Sequence, residues 1–199
     1  FNADLSKWRP SKVTDMSRMF IGCYAFNSDL TDWDTSSVTA TDHMIYGHNK
    51  AMSFTGSLAN WDLSKTTNMY RMFRYASPSD LSNWTLPKAS SGLEVNMNNM
   101  FLHSSFNADI SGWDVGAVTN MANMFDGATS FNSDLSAWDV SRVATMSCMF
   151  CGASSFSNRE LCSPWWVAAS IDPNVNMASM FLNAGPGNSI CSTPRDCPR

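Results

Sequence analysis

Residues 106–130 read FNADISGWDVGAVTNMANMFDGATS, and residues 131–155 read FNSDLSAWDVSRVATMSCMFCGASS. Residues 1–25, FNADLSKWRPSKVTDMSRMFIGCYA, are a third copy, and weaker copies begin at Phe26, Phe54, near Ser77 and at Phe156, making seven units. A unit of this length cannot cover its own apolar face, so copies have to stack on one another. That constraint precedes any local reading of the chain.

The repeat also explains the composition, which has 14 Met, 12 Phe and 8 Trp among 199 residues. One aromatic slot holds Phe1, Phe26, Phe54, Phe106, Phe131 and Phe156, and a second holds Trp8, Trp33, Trp61, Trp84, Trp113, Trp138 and, at the seventh unit, Trp165. A Met-Phe pair recurs from Met19-Phe20 to Met180-Phe181, with Met44-Ile45 in the second unit, and another Met usually stands three residues before it. Charged residues make up 15% of the chain, the net charge is −4 and there is no basic block, which argues against nucleic-acid binding. No apolar run reaches the ~18 residues of a membrane span, so none is expected.

Within a unit, Met16, Met19 and Phe20 fall at i, i+3 and i+4, the spacing of one helical face. Thr14 and Asp15 suit a helix start, while Gly22, Gly127 and Gly152 suit a helix exit. The stretch from Phe1 to Trp8 reads as a brief extended segment. The predicted fold is therefore an α/β repeat solenoid, leucine-rich-repeat-like, of about seven units that each contain a short parallel strand and a short helix. Residues 1–157 form the repeats, and residues 158–199 form a degenerate last repeat with a Cys-rich C-terminal cap. The insertion at 85–95 is expected on the surface. The opening on Phe1, without an initiator Met or signal peptide, suggests a processed or truncated piece of a longer protein.

The pattern F-N-x-D-L-S-x-W-D-V-S-x-V-T-N-M-x-x-M-F-x-G-A closely resembles the repeats of BspA-type leucine-rich-repeat surface proteins, in the subtype known from mycoplasma surface lipoproteins and from protists and algae. The resemblance is strong over residues 1–157 and weak over 158–184. It implies an extracellular or cell-surface, non-enzymatic protein, adhesive in some members, with a parallel sheet on one face and helices on the other. This chain departs from the family's usual pattern by placing Phe, Trp and Met where Leu is expected.

Five of the six cysteines fall in the last 52 residues, as in disulfide-braced extracellular caps. Cys191 with Cys197 is the first candidate pair and Cys151 with Cys162 the second. Cys23 lies about five rungs from Cys148, too far for a bridge, and is expected to be free or paired outside this chain. A redox or zinc role for Cys148-x-x-Cys151 is disfavoured, because both residues occupy ordinary repeat slots and no second ligand pair exists.

No nucleophile-and-base constellation, phosphate loop or zinc-protease motif is present, so no catalysis and no cofactor are expected. His43, His48 and His103 read as surface residues. Two aspartate ladders run through the repeats, Asp4, Asp29, Asp80, Asp109, Asp134 and Asp34, Asp62, Asp114, Asp139. Each carboxylate either holds its own turn through backbone N–H groups or, at Asp109 and Asp134, joins a neighbour to bind calcium. The row before the tryptophans, Lys7, Asp32, Asn60 and Asn83, changes charge and size from unit to unit and is a candidate binding strip. Asn83-Trp84-Thr85 also fits the N-glycosylation pattern. The function this supports is binding or adhesion toward another protein or a surface glycan. The alternative is a structural building block that continues at its N-terminal end into a further domain or subunit.

Overall fold

The computed structural model describes residues 1–157 and 174–185. Among these residues there is no α-helix. Regular structure is limited to a 3-10 turn at Ala89–Ser91 and one parallel pair, β1 (Val95–Asn96) and β2 (Val118–Asn120). The expected α/β solenoid of strand-plus-helix, leucine-rich-repeat-like units is therefore wrong. Of the expected last repeat and cap at 158–199, residues 158–173 and 186–199 lie outside the described residues, and with them Cys162, Trp165 and the candidate pair Cys191–Cys197.

What the repeat encodes instead is a run of tight turns. In the fifth unit, hydrogen bonds join Trp113 N–H to Ile110 O (3.1 Å), Val118 to Val115 (2.8 Å), Met124 to Met121 (3.2 Å) and Ala128 to Phe125 (3.0 Å). All eight of these residues are buried, because the first and fourth positions of a β-turn lie side by side and point the same way. An i, i+3, i+4 pattern thus arises from two consecutive turns, Met121–Met124 and Phe125–Ala128, as readily as from a helix.

The third residue decides between these alternatives. It has positive φ in the first Met turn of every unit, at Arg18, His43, Arg71, Asn99, Asn123, Cys148 and Ser179. It does so again in the following turn at Gly22, Tyr75, His103, Gly127, Gly152 and Asn183. Left-handed residues at these points mark type II turns and stop a helix from propagating. Gly22, Gly127 and Gly152 are therefore turn residues rather than helix exits.

Asp and Asn side chains open the turns. Asp109 Oδ1 accepts from Ser111 N–H (2.9 Å), Asp114 Oδ1 from Gly116 N–H (3.1 Å) and Asn120 Oδ1 from Ala122 N–H (3.0 Å). Asp15, placed as a helix cap by the sequence reading, does the same for Ser17 N–H (2.8 Å).

Stacking uses three kinds of bond. Along the Met turns the backbone bonds directly, from Met16 N–H to Ala40 O, Thr41 to Asn68, Met69 to Asn96, Met97 to Asn120, Met121 to Thr145 and Met146 to Asn176 (2.8–2.9 Å). Parallel columns begin at Arg18, Phe20 and Gly22 and likewise run to the 174–185 rung. Along the Phe edge, side-chain amides make the link: Asn2, Asn27, Asn107 and Asn132 each accept from a backbone N–H of the next unit (2.7–2.9 Å). At the tryptophans, each indole N–H from Trp33 to Trp138 donates to the carbonyl of the preceding unit's Leu or Ile (2.7–3.1 Å).

Aromatic stacks fill the interior. Trp8, Trp33, Trp61, Trp84, Trp113 and Trp138 lie within 9° of parallel to their neighbours, with centroids 5.2–6.3 Å apart. Phe101, Phe125, Phe150 and Phe181 form a second stack at 5.5–5.7 Å. The insertion at 85–95 leaves this body with residues 88–92 exposed, tethered by Arg142 Nη1 to Ala89 O (3.2 Å).

Two expectations follow. Trp113→Ala removes a buried ring and its bond to Leu81 O, and should cost ~3–5 kcal/mol in denaturant unfolding. A cost below about 1 kcal/mol would mean the tryptophans are not core. Gly127→Ala forces a Cβ into the left-handed region and onto the His103 ring, and should cost at least ~1–2 kcal/mol in the same assay.

Candidate functional site

The row Lys7, Asp32, Asn60 and Asn83 is exposed, each residue standing third in an L-S-x-W-type turn. The row therefore lies along turns rather than on a strand face. Its members are not gathered into a cavity, and its one ion pair, Arg9 to Asp32, spans 3.8 Å between exposed groups. Asn83 is exposed while Trp84 beside it is buried.

Asp109 and Asp134 do not converge on a metal position: among the described residues no three His, Cys, Asp or Glu groups come together. Their carboxylates serve the turns at Ser111 and Ser136 (2.9 and 2.8 Å). Cys151 is bonded to Cys148, with Cα atoms 4.9 Å apart, in place of the expected Cys162. That disulfide ties the two Met-Phe turns of the sixth unit together. Cys23 is free.

A concentrated group of polar and aromatic side chains lies elsewhere, along the Met turns in units two to four. Between the ladder positions, half-buried Asp42 and His43 with buried Tyr46 lie on one rung, and half-buried Tyr70, Arg71, Arg74 and Tyr75 lie on the next. His43 meets Tyr46 and Tyr70 edge-on at 4.9 and 5.1 Å. The Arg71 guanidinium lies over Tyr70 at 4.7 Å. That of Arg74 lies over Tyr46 at 5.4 Å and Tyr75 at 5.2 Å, and its Nη1 donates to Tyr46 Oη (2.6 Å). Tyr75 contacts His103 at 5.3 Å.

Asp42 anchors one side of this cluster. It accepts from Ser17 Oγ (2.7 Å) and Asn68 Nδ2 (3.0 Å), bonds His43 Nδ1 (3.1 Å) and pairs with Arg18 (3.9 Å). On the other side, burial pushes the Asp126 carboxyl up, and nearby His103 opposes that shift.

Backbone conformation marks this face as costly. Tyr75 and His103 hold positive φ in the slot that Gly22, Gly127 and Gly152 fill in other units. A bulky residue there costs about 1–2 kcal/mol relative to relaxed backbone, and strain of this kind gathers at functional surfaces. Taken one by one, His43, His48 and His103 carry no sign of this cluster, which needs the tyrosines beside them. The signal available in the sequence was that all four tyrosines and all three histidines fall between residues 24 and 103, clear of every ladder slot.

The turn aspartates set the acid response of the fold. Hydrogen bonds from the residue two positions on hold Asp4, Asp15, Asp29, Asp34, Asp109 and Asp139 below the ordinary carboxylate value. Depressed values stabilise the fold above the unfolded carboxylate range, near pH 4, and that contribution disappears as pH falls through the folded values. Thermal melting should be nearly level from about pH 7 to 5 and drop steadily below about 4. Asp109→Asn keeps the Oδ1 acceptor and should melt like the parent at neutral pH, with a shallower acid decline.

Among the described residues no helix is long and apolar enough to cross a membrane. No curated protein and no solved structure matches the chain. Two overlapping stretches, residues 1–94 and 81–193, match one family and together span almost the whole sequence. On that match, the chain belongs to the family described as Mycoplasma protein of unknown function, DUF285.

Proposed function

We propose that this protein is a non-catalytic recognition module of an extracellular or cell-surface protein, binding another protein or a surface glycan. The observation that carries the reading is the Tyr-His-Arg face of units two to four. It is polar and aromatic, and it is fixed on a stack whose rungs are bonded at every second residue. Tyr and Arg are enriched where protein surfaces bind partners, and a rigid scaffold lowers the entropy cost of binding. The likeness of the repeat to BspA-type surface proteins supports placement outside the cell.

The test is capture from extracellular material of the source by immobilised protein, comparing the parent with Arg71→Asn/Arg74→Leu and with Lys7→Ala/Asn60→Ala. Loss of a retained species only in the first variant supports recognition through the Met-turn face. Loss only in the second moves the site to the row before the tryptophans. No specific retention by the parent removes the reading.

A second reading, a building block of a larger assembly, is favoured by the first rung. The carbonyls of Asp15, Ser17, Met19 and Ile21 accept no hydrogen bond among the described residues. Phe1, Trp8 and Met19 are 66%, 53% and 41% exposed there. An open edge of this kind accepts another rung. Sedimentation over a hundredfold concentration range should show growing assemblies if that edge is used, and a single small species if it is not.

A further inference from the structure

Charge is distributed unevenly around the stack. The aspartates that open the L-S-x-W and D-V-S-x-V turns lie away from the Met turns, and most of their carboxylates are committed to backbone N–H groups. On the Met-turn face of units one to four the charged side chains are Arg18, Arg71 and Arg74 against Asp42 and Asp15, whose Oδ1 accepts from Ser17 N–H, with Lys50 over Tyr24 at the margin (5.6 Å). Asp42 is engaged by Arg18 and His43. Among the described residues no carboxylate pairs with Arg71 or Arg74.

Two guanidinium groups without a carboxylate partner on one rung are unusual in a chain of net charge −4, and of their outer N–H groups Arg74 Nη1 gives one to Tyr46 Oη. Both are held in place by tyrosine rings, and both Nε atoms are buried without a hydrogen-bond partner. A guanidinium fixed on an aromatic ring has already lost most of its rotamer freedom, and its outer N–H groups form a fork that matches a carboxylate. The rings themselves are spent. Tyr46 is buried, and Tyr70 and Tyr75 each carry a guanidinium over one face. A sugar that binds by lying flat on an aromatic ring finds little open surface, whereas a carboxylate side chain needs only the forks.

We infer that the Arg71–Arg74 rung is the docking site for an acidic segment of a partner protein, its Asp or Glu carboxylates received by the two ring-held guanidinium groups. The inference rests on the recognition reading above and names its ligand chemistry. The repeat itself supplies the variants that test it, because the same two slots hold Asn99 and Leu102 one rung on. Arg71→Asn/Arg74→Leu therefore removes both charges with residues that the fold already accepts, and Asn tolerates the positive φ at position 71 better than Arg.

The experiment is fluorescence anisotropy of labelled hexaglutamate at about 50 mM salt, where exposed charges are weakly screened, with thermal melting as a control for folding. Saturable binding by the parent is expected, weakened tenfold or more in the double variant and unchanged in Lys65→Ala, with unaltered melting. Binding that is absent, or equal in parent and double variant, overturns the inference. So does tighter binding of a sulfated heparin oligosaccharide than of hexaglutamate, which would make the ligand an anionic glycan. If capture from extracellular material depends on Arg71 and Arg74 but hexaglutamate does not compete, the acidic-segment inference fails alone. If that capture is absent altogether, the recognition reading fails with it.

Discussion

The backbone columns through the Met turns are the constraint on which the rest of the molecule depends. In an ordinary parallel sheet, neighbouring strands exchange bonds in both directions and the peptide dipoles largely cancel. Here the Ala40 carbonyl faces the first unit while the Thr41 N–H, on the same peptide group, faces the third, and the arrangement repeats down four columns. Within these four columns the dipoles therefore add and each bond polarises the next, while the flanking bonds from Thr39 N–H to Thr14 O, Thr67 to Thr39 and Asn96 to Thr67 run the opposite way. This one-way bonding within the Met turns is possible because the third residue of the first Met turn is left-handed in every unit, which rotates alternate peptide groups into register. It also gives the stack a direction, with carbonyls facing outward at the first rung.

Positive φ is expensive for most side chains, yet Arg, His, Cys, Ser and Tyr all occupy it here. The buried ladders supply the compensation. Each rung from the second to the sixth adds Met, Phe or Trp side chains that are almost wholly removed from water, and burying one large apolar side chain is worth about 1.5–3 kcal/mol, comparable with the strain of one left-handed residue. Parallel rings also favour uniform stacking of the units. Polar demands of the turns are met locally by Asp and Asn oxygens, so the described residues enclose an apolar interior with no α-helix and a single strand pair to satisfy the backbone.

Function and fold are separable in such a design. Ladder slots are nearly identical from rung to rung, whereas the slots between them in the Met turns vary freely between Ser, Asp, Tyr, Asn and Ala in one column and between Ile, Tyr, Arg, Leu, Asp and Cys in another. A binding surface can be written into those slots without disturbing the interior. In units two to four the outcome is a set of arginines immobilised on tyrosines. In unit six the same slots carry the Cys148–Cys151 bridge, which ties the two turns together.

The seven-fold repeat, its ladders and the burial of Met16, Met44, Trp61 and Phe106 were determined by the sequence alone, since apolar residues recurring at one spacing can only be hidden by stacking. The local conformation was not. An i, i+3, i+4 pattern has the same appearance whether it belongs to a helical turn or to two β-turns in succession, and only the left-handed backbone at Arg18, Asn99 and Asn123, sustained by bonds to a neighbouring rung, selects the turns. The Asp ladders were legible as turn residues because Asp followed by Ser two positions on is a local signal. The Tyr-His-Arg face required tertiary structure. His43, Tyr70 and Arg74 are as many as 31 positions apart in sequence and meet only because one unit's turn is laid directly over the next.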